Sequence, residues 1–313
     1  MANVTDPLHS NAPALSRGAF VGLSGAALYL GNGIAAALAA GEGFGKFHDP
    51  IVAENDAAIL IQRPALPRPG GDIDAYAAWP RDASDKTPGV VVVQQIWGVD
   101  AQLRDVVRRF AKSGFVTIAP NLFHRLKPPD ADRATDFSQF RPLAEKLDDS
   151  QVDGDVTAGA TWIRARAGVG PAARPPKVGV NGFCMGGGIA LRLAASSAAF
   201  DAAAVWYGKV RQGGDGGATS SSPFGYADRL TMPLVGNFGG RDTSIQPDDV
   251  RELDRRLHGA HDIKIYAEAG HAFFDDQRER YIPSAAADAW TRTVEWFRRY
   301  LTFEAAPKSD GHD

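Results

Sequence analysis

Cys184 is the single cysteine of this 313-residue chain, and it stands in the run Gly182-Phe-Cys184-Met-Gly186. That spacing is the nucleophile elbow G-x-S-x-G with sulfur in place of the serine oxygen. The residue types have mechanical reasons. Lys177-Val-Gly-Val-Asn181 just upstream reads as a short apolar strand, and Met185 opens an alanine- and leucine-rich helix. A strand that turns at once into a helix strains its corner residue and lifts that side chain above the sheet edge. Glycines two before and two after let the two backbones approach closely. The Met185 amide then lies at a helix N-terminus, free to donate to a developing oxyanion. A lone cysteine is more often a buried structural thiol. Strand, glycines and helix together predict a nucleophile for acyl transfer instead.

An elbow nucleophile needs a histidine base and an orienting carboxylate, in the chain order nucleophile, acid, histidine. Pro233-Leu-Val-Gly-Asn-Phe238 reads as a strand, and Gly239-Gly-Arg-Asp242 follows as a tight turn. Asp242 is therefore the candidate acid; a plain turn-forming aspartate is the alternative. Ile263-Lys-Ile-Tyr266 alternates as another strand and leads into Glu268-Ala-Gly-His271, so His271 is the candidate base on a loop. The other histidines carry less. His9 and His312 lie near the termini, His48 precedes the core, and His258-Gly-Ala-His261 has too little support for a metal site. His124 could line a pocket, but it precedes the nucleophile.

The elements that must hold these residues alternate. Strands are expected at Val90–Gln94, Phe115–Ala119, Lys177–Asn181, Ala203–Trp206, Leu234–Phe238 and Ile263–Tyr266. Helices are expected near Ala101–Lys112, Asp153–Arg166, Met185–Ala198, Pro247–Leu257 and Ala285–Leu301. Residues Ile59 to Trp79 add an antiparallel pair at one edge. This pattern predicts an α/β architecture, a mostly parallel central sheet with helices on both faces. In such sheets sites lie beyond the carboxyl ends of the strands, and every candidate falls there. The arginines of Arg104 and Val106-Val-Arg-Arg-Phe110 read as the solvated face of an amphipathic helix.

Taken together, the chain resembles the dienelactone hydrolase family, a branch of the α/β-hydrolase fold with a Cys-Asp-His triad. The resemblance rests on Val93-Gln-Gln-Ile-Trp-Gly-Val99, Ala119-Pro-Asn-Leu-Phe123, Gly182-Phe-Cys-Met-Gly-Gly-Gly188, Trp206-Tyr-Gly208, Gly240-Arg-Asp242, Ala269-Gly-His-Ala-Phe273 and a closing helix from Ala285. It spans about Ile51 to Leu301. It implies that Cys184, Asp242 and His271 form the triad, and that the Ile96 and Met185 amides form the oxyanion hole. Gln95, Trp97, Tyr207 and Phe273 would then line the substrate pocket. The expected activity is hydrolysis of an ester or lactone through a thioester. Alternatives are a general small-ester carboxylesterase, or a non-catalytic or thiol-redox binding protein on the same scaffold.

Two departures from the family pattern bear on chemistry. Gln95 stands where reference members carry a glutamate thought to help form the thiolate; an amide cannot accept that proton at neutral pH. Reference members also place an arginine a few residues after the histidine to hold a substrate carboxylate. Here that region reads Phe273-Phe274-Asp275-Asp276, an acidic pair that argues against an anionic lactone.

The hydrophobic content of 44% suits one large domain over 51–303, with an N-terminal extension over 1–50 and a disordered tail over 304–313. A net charge of −3 with mixed signs indicates no nucleic-acid partner. A single cysteine excludes internal disulfides. The expected partner is a small ester or lactone; no cofactor, metal or stable membrane association is implied, and the oligomeric state is open. Ser16-Arg17-Gly18 and the apolar run to Ala40 resemble a twin-arginine export signal lacking its second arginine, with Leu38-Ala-Ala-Gly41 as a cleavage candidate. A periplasmic or exported protein is weighed there against a cytoplasmic N-terminal helix. Gln212–Ser222 reads as a flexible Gly/Ser-rich loop.

Overall fold

Apolar runs punctuated by glycine and proline become nine strands in the computed structural model, which describes residues 34–40, 45–166, 175–211, 225 and 227–302. In chain order they are β1 (Ile59–Gln62), β2 (Ala65–Leu66), β3 (Ile73–Pro80), β4 (Gly89–Val93), β5 (Val116–Pro120), β6 (Val178–Phe183), β7 (Ala202–Trp206), β8 (Leu234–Gly239) and β9 (His261–Tyr266). Their spatial order is β1-β3-β5-β4-β6-β7-β8-β9, with β2 paired to β3. The pairs β1/β3 and β3/β5 are antiparallel; every pair from β5 to β9 is parallel. All residues of β4 through β8 are buried. Parallel strands connected by helices are covered on both faces, so continuous apolar runs such as Val90-Val-Val-Val93 are what the sheet requires. β9 alternates half-buried with exposed residues, as an edge strand does.

Six helices follow among the described residues after position 45, in chain order: α1 (Ala101–Lys112), α2 (Arg141–Ala144), α3 (Asp149–Arg166), α4 (Met185–Ser196), α5 (Pro247–Arg256) and α6 (Pro283–Leu301). One core layer packs α3, α4 and α5 on the sheet through Val156, Ile163, Leu191, Val250 and Leu253. The other packs α1 and α6 through Val107, Phe110, Trp290 and Phe297. Asp100 caps α1 by accepting from Leu103 N at 2.9 Å, which sets where that helix begins. None of the described helices is long and apolar enough to cross a membrane.

The expected antiparallel pair is present at one edge, β1 outermost on β3, and β3 continues antiparallel onto β5. Two expectations change. Arg108 and Arg109 are not a solvated face: they are 3% and 0% exposed. Arg109 pairs with Asp105 and Asp276, and Arg108 donates to Val52 O and Tyr76 Oη. Their helix face is covered by chain from either side of the core. The packed body also starts before residue 51. Residues 34–40 are helical, Ile34 and Leu38 are buried in the α1/α6 layer, and Tyr281 Oη donates to Leu38 O.

Residues 45–52 continue that cover. Gly45 N donates to Asp276 O at 2.7 Å, Gln277 Nε2 to His48 O at 3.2 Å, and Ile51 and Val52 N to the Asp105 carboxylate at 2.9 Å each. The Ser16–Gly33 part of the export motif, the Gln212–Ser222 loop and the 304–313 tail lie outside the described residues. Between β5 and α3 the chain forms short turns of 3-10 helix, His124–Leu126 and Phe137–Gln139, followed by α2. Too short to show a period, they were not anticipated. Phe123 and Phe140 form a small core there, packed against Ile96, Trp97 and Met185.

Candidate active site

β6 ends at Phe183, and Cys184 takes φ 53°, ψ −114° before α4 begins at Met185. That left-handed conformation is strained for a residue with a Cβ. Backbone bonds hold it: Cys184 N donates to Trp206 O at 3.0 Å, and Gly187 N donates to Cys184 O at 3.0 Å. The elbow glycines are there for space. A Cβ on Gly182 would sit 1.9 Å from Gly186 O, and one on Gly186 would sit 2.4 Å from Val93 O. Only bare backbone lets β6, α4 and β4 meet so closely. Tyr207 (φ 38°) and Ala272 (φ 62°) carry the same kind of strain. Three of the four non-glycine residues with positive φ among the described residues therefore cluster here.

Cys184, Asp242 and His271 converge as the sequence order predicts. His271 Nε2 is 3.0 Å from Cys184 Sγ, and His271 Nδ1 donates to Asp242 Oδ2 at 2.7 Å. The second oxygen, Asp242 Oδ1, accepts from Ser244 N at 2.8 Å and Ile245 N at 3.0 Å. The carboxylate is thus fully buried and has both oxygens satisfied. Gly240 N to Tyr266 O and Arg241 N to Ala269 O, both 2.8 Å, stitch the acid turn to the histidine loop. Burial disfavours the His271 imidazolium, but its bonds to Asp242 and Cys184 outweigh this and carry its pKa up to about 10. A protonated imidazole beside sulfur stabilises a thiolate there.

The Ile96 and Met185 amides have no hydrogen-bond partner among the described residues. Met185 N belongs to the first residue of α4, where a helix leaves its donors free. Ile96 is the second residue of a β-turn closed by Gly98 N donating to Gln95 O at 3.1 Å, with Gly98 at φ 82°. Of the four expected pocket residues, Trp97 is half-buried and so still presents ring surface. Tyr207 and Phe273 do not: they are 1% and 0% exposed and pack edge to face, 5.4 Å between centroids. Tyr207 still abuts His271, with ring centroids 5.3 Å apart. These two rings support the base from behind rather than offering a wall to a ligand, because Phe183 packs on Tyr207 and Trp206 and Tyr266 pack on Phe273. Gln95 is also buried, and its Nε2 donates to Asp275 Oδ2 at 2.7 Å.

That bond alters the reading of the acidic pair. Asp275 and Asp276 are 1% and 0% exposed. Asp276 Oδ2 is 2.5 Å from Arg109 Nη2, and Asp275 faces Gln95, with the Arg278 guanidinium 3.9 Å away. Neither carboxylate is turned to solvent, so the pair does not argue against an anionic substrate. Burial pushes the Asp275 carboxyl up to about 6, and burial together with the Asp275 charge pushes Asp100 up to about 7. Asp100 and Arg278 were not foreseen, and Asp275 was read only as half of an acidic pair. The one sequence cue was that Asp275 and Arg278 follow His271 on the same loop. His124 is set aside on the surface, its Nδ1 3.0 Å from the exposed Asp74 carboxylate.

Known proteins resemble this chain over most of its length. The model of the dienelactone hydrolase family matches residues 73–301. A protein of Escherichia coli strain K12 named "Putative carboxymethylenebutenolidase" is 36% identical over 254 residues, 80% of this chain and 91% of that one. A Bradyrhizobium protein named "Probable 2-oxo-3-(5-oxofuran-2-ylidene)propanoate lactonase" is 30% identical, over 72% of this chain and 89% of its own. The crystal structure described as a "Putative Dienelactone Hydrolase" from Klebsiella pneumoniae superposes with a TM-score of 0.68 at 34% identity, covering 78% of this chain and all of that one.

Proposed function

The chain belongs to the dienelactone hydrolase family and is a hydrolase of ester or lactone bonds, and from that premise we propose that it works through a Cys184 thioester. The observation that carries this reading is the unbroken line Cys184 Sγ, His271, Asp242, with links of 3.0 and 2.7 Å. In the first half-reaction the Cys184 thiolate attacks the substrate carbonyl carbon. The carbonyl oxygen takes the negative charge and is met by the Ile96 and Met185 amides. As the tetrahedral species collapses, the C–O bond breaks and His271 Nε2 delivers its proton to the leaving alkoxide. In the second half-reaction the now neutral imidazole takes a proton from water. The hydroxide adds to the thioester carbonyl, the C–S bond breaks, and acid and thiolate–imidazolium pair are regenerated. Asp242 keeps Nδ1 of His271 protonated and facing it throughout, so that Nε2 always faces sulfur.

Trp97 bears on the substrate class. The exposed Phe47 and Phe137 flank it, Phe137 at 6.4 Å between centroids and Phe47 through the Arg278 guanidinium that stacks 3.9 Å over Trp97. An aromatic rim with a cation in it suits esters or lactones carrying an aryl or unsaturated group. The deciding experiment is stopped-flow mixing with p-nitrophenyl acetate and a lactone panel, for wild type and Cys184→Ala. A burst of one nitrophenolate per chain that disappears in Cys184→Ala is expected. Turnover retained in Cys184→Ala would sink the thioester route.

A further inference from the structure

The turn that carries the Ile96 amide does not hold itself. It spans Gln95 to Gly98 with a single backbone bond closing it, and a lone β-turn is weakly ordered. Besides the Phe123 and Phe140 side chains that pack on Ile96 and Trp97, what holds it comes from the histidine loop, more than 170 residues later. Gln95 Nε2 donates to the buried Asp275 Oδ2 at 2.7 Å, and two residues on, the Trp97 ring lies 3.9 Å under the Arg278 guanidinium. Asp275 and Arg278 are themselves joined, Arg278 N donating to Asp275 O at 3.1 Å. The residues on either side of Ile96 are therefore gripped by one short segment.

The rest of that segment is rigid enough to transmit position. Asp275 N donates to Ala272 O at 3.0 Å, so Asp275 is tied to the residue after His271. Asp276 beside it is anchored by Arg109. Arg278 Nη1 donates to Ala134 O at 2.7 Å, and its Nη2 lies 3.8 Å from Asp100 Oδ2. A buried carboxylate that accepts from a buried amide is a strong, directional anchor. It also fixes which end of the Gln95 amide points away, because only the NH2 end can face a carboxylate.

We propose that Asp275, seconded by Arg278, is a positioning residue that locks the Gln95–Gly98 turn so that the Ile96 amide is set against the carbonyl attacked by Cys184. The histidine and the oxyanion donor are then placed by one loop, and general base and charge stabilisation are assembled together. The effect belongs to the transition state. Ground-state binding changes little when the turn loosens, because the oxyanion exists only after attack.

This inference rests on the hydrolytic reading for its kinetic consequence but not for its structural one, and the test separates the two. Asp275→Ala in the full-length chain is expected to lower kcat by about ten- to a hundredfold with KM changed less than about threefold. Iodoacetamide alkylation of Cys184 stays at the wild-type rate, because the Cys184–His271 pair is untouched. Asp275→Asn, whose amide oxygen can still accept from Gln95, recovers most of kcat. Hydrogen exchange of the peptide containing Ile96 and Trp97 accelerates in Asp275→Ala and not in Asp275→Asn. Should Asp275→Ala fail to fold, Gln95→Leu breaks the same bond from the other end and is held to the same outcomes. Unchanged exchange in that peptide overturns the lock. Faster exchange with unchanged kcat overturns its catalytic role. A wild type with no turnover at all removes the hydrolytic reading, while the exchange comparison still decides whether Asp275 holds the turn.

Discussion

Arg109 on α1 and Asp276 on the histidine loop form an ion pair, Nη2 to Oδ2 at 2.5 Å, in which both side chains are wholly buried. Asp105, one turn earlier on α1, shares the guanidinium and also receives the Ile51 and Val52 amides. The cluster ties three separate stretches of chain together beneath the candidate base. Two carboxylates and one guanidinium out of water are costly to assemble and costlier to leave unbalanced.

Arg109→Met should therefore be severe, costing about 3–5 kcal/mol of folding stability, because Asp276 would be left without its cation. Adding Asp276→Asn removes the stranded charge, so the double variant should be more stable than Arg109→Met alone. Urea unfolding of the three chains checks this. A double variant as unstable as the single one would show that packing, not charge, dominates the cluster.

The elbow offers a steric prediction. A methyl group on Gly182 would meet the Gly186 carbonyl oxygen at 1.9 Å and its carbon at 2.3 Å. Both are backbone atoms, so neither can swing aside. Gly182→Ala must part β6 from the start of α4 and move Cys184 relative to the Met185 amide. A displacement on the order of 1 Å should cost about a hundredfold in kcat. The readout is p-nitrophenyl acetate turnover in a variant whose circular dichroism matches the wild type; undiminished kcat would contradict the steric account.

His271 carries a pH prediction. Its folded pKa of about 10 lies above the ordinary value of 6.5, so the folded protein keeps a proton that the unfolded chain has lost between those pH values. The associated stability is complete below pH 6.5 and drains away as pH rises through 10. Unfolding free energies from pH 6.5 to 10 should decline by about 1–3 kcal/mol more in wild type than in His271→Asn. Parallel curves for the two proteins would show that the imidazolium is not held as described.

The fold and the three candidate catalytic residues were legible in the residue order for local reasons. An elbow is written within five residues, from Gly182 to Gly186, and its glycines are demanded by contacts inside the same turn. Asp242 and His271 each sit just past a strand whose apolar run is readable by itself. A parallel sheet then brings all strand ends to one side whatever the loops do.

What only the tertiary structure decided concerns partners that are remote in the chain. Arg108 and Arg109 look like a solvated helix face until Val52, Tyr76 and Asp276 arrive from elsewhere to cover and pair them. Tyr207 and Phe273 look like pocket aromatics, yet burial is a property of what packs on a ring rather than of the ring. Asp275 and Asp276 look like a negative patch, but each has a buried partner inside, Gln95 and Arg109. The run holding Ile34 and Leu38 reads equally as an export signal or an N-terminal helix, and only the folded chain buries those two side chains in the core. Backbone geometry and hydrophobic period act over a few residues, so the sequence by itself determined the scaffold and the Cys184–Asp242–His271 order. Burial and charge pairing depend on contacts across 167 residues for Arg109–Asp276 and 180 for Gln95–Asp275, and only the folded chain determines those.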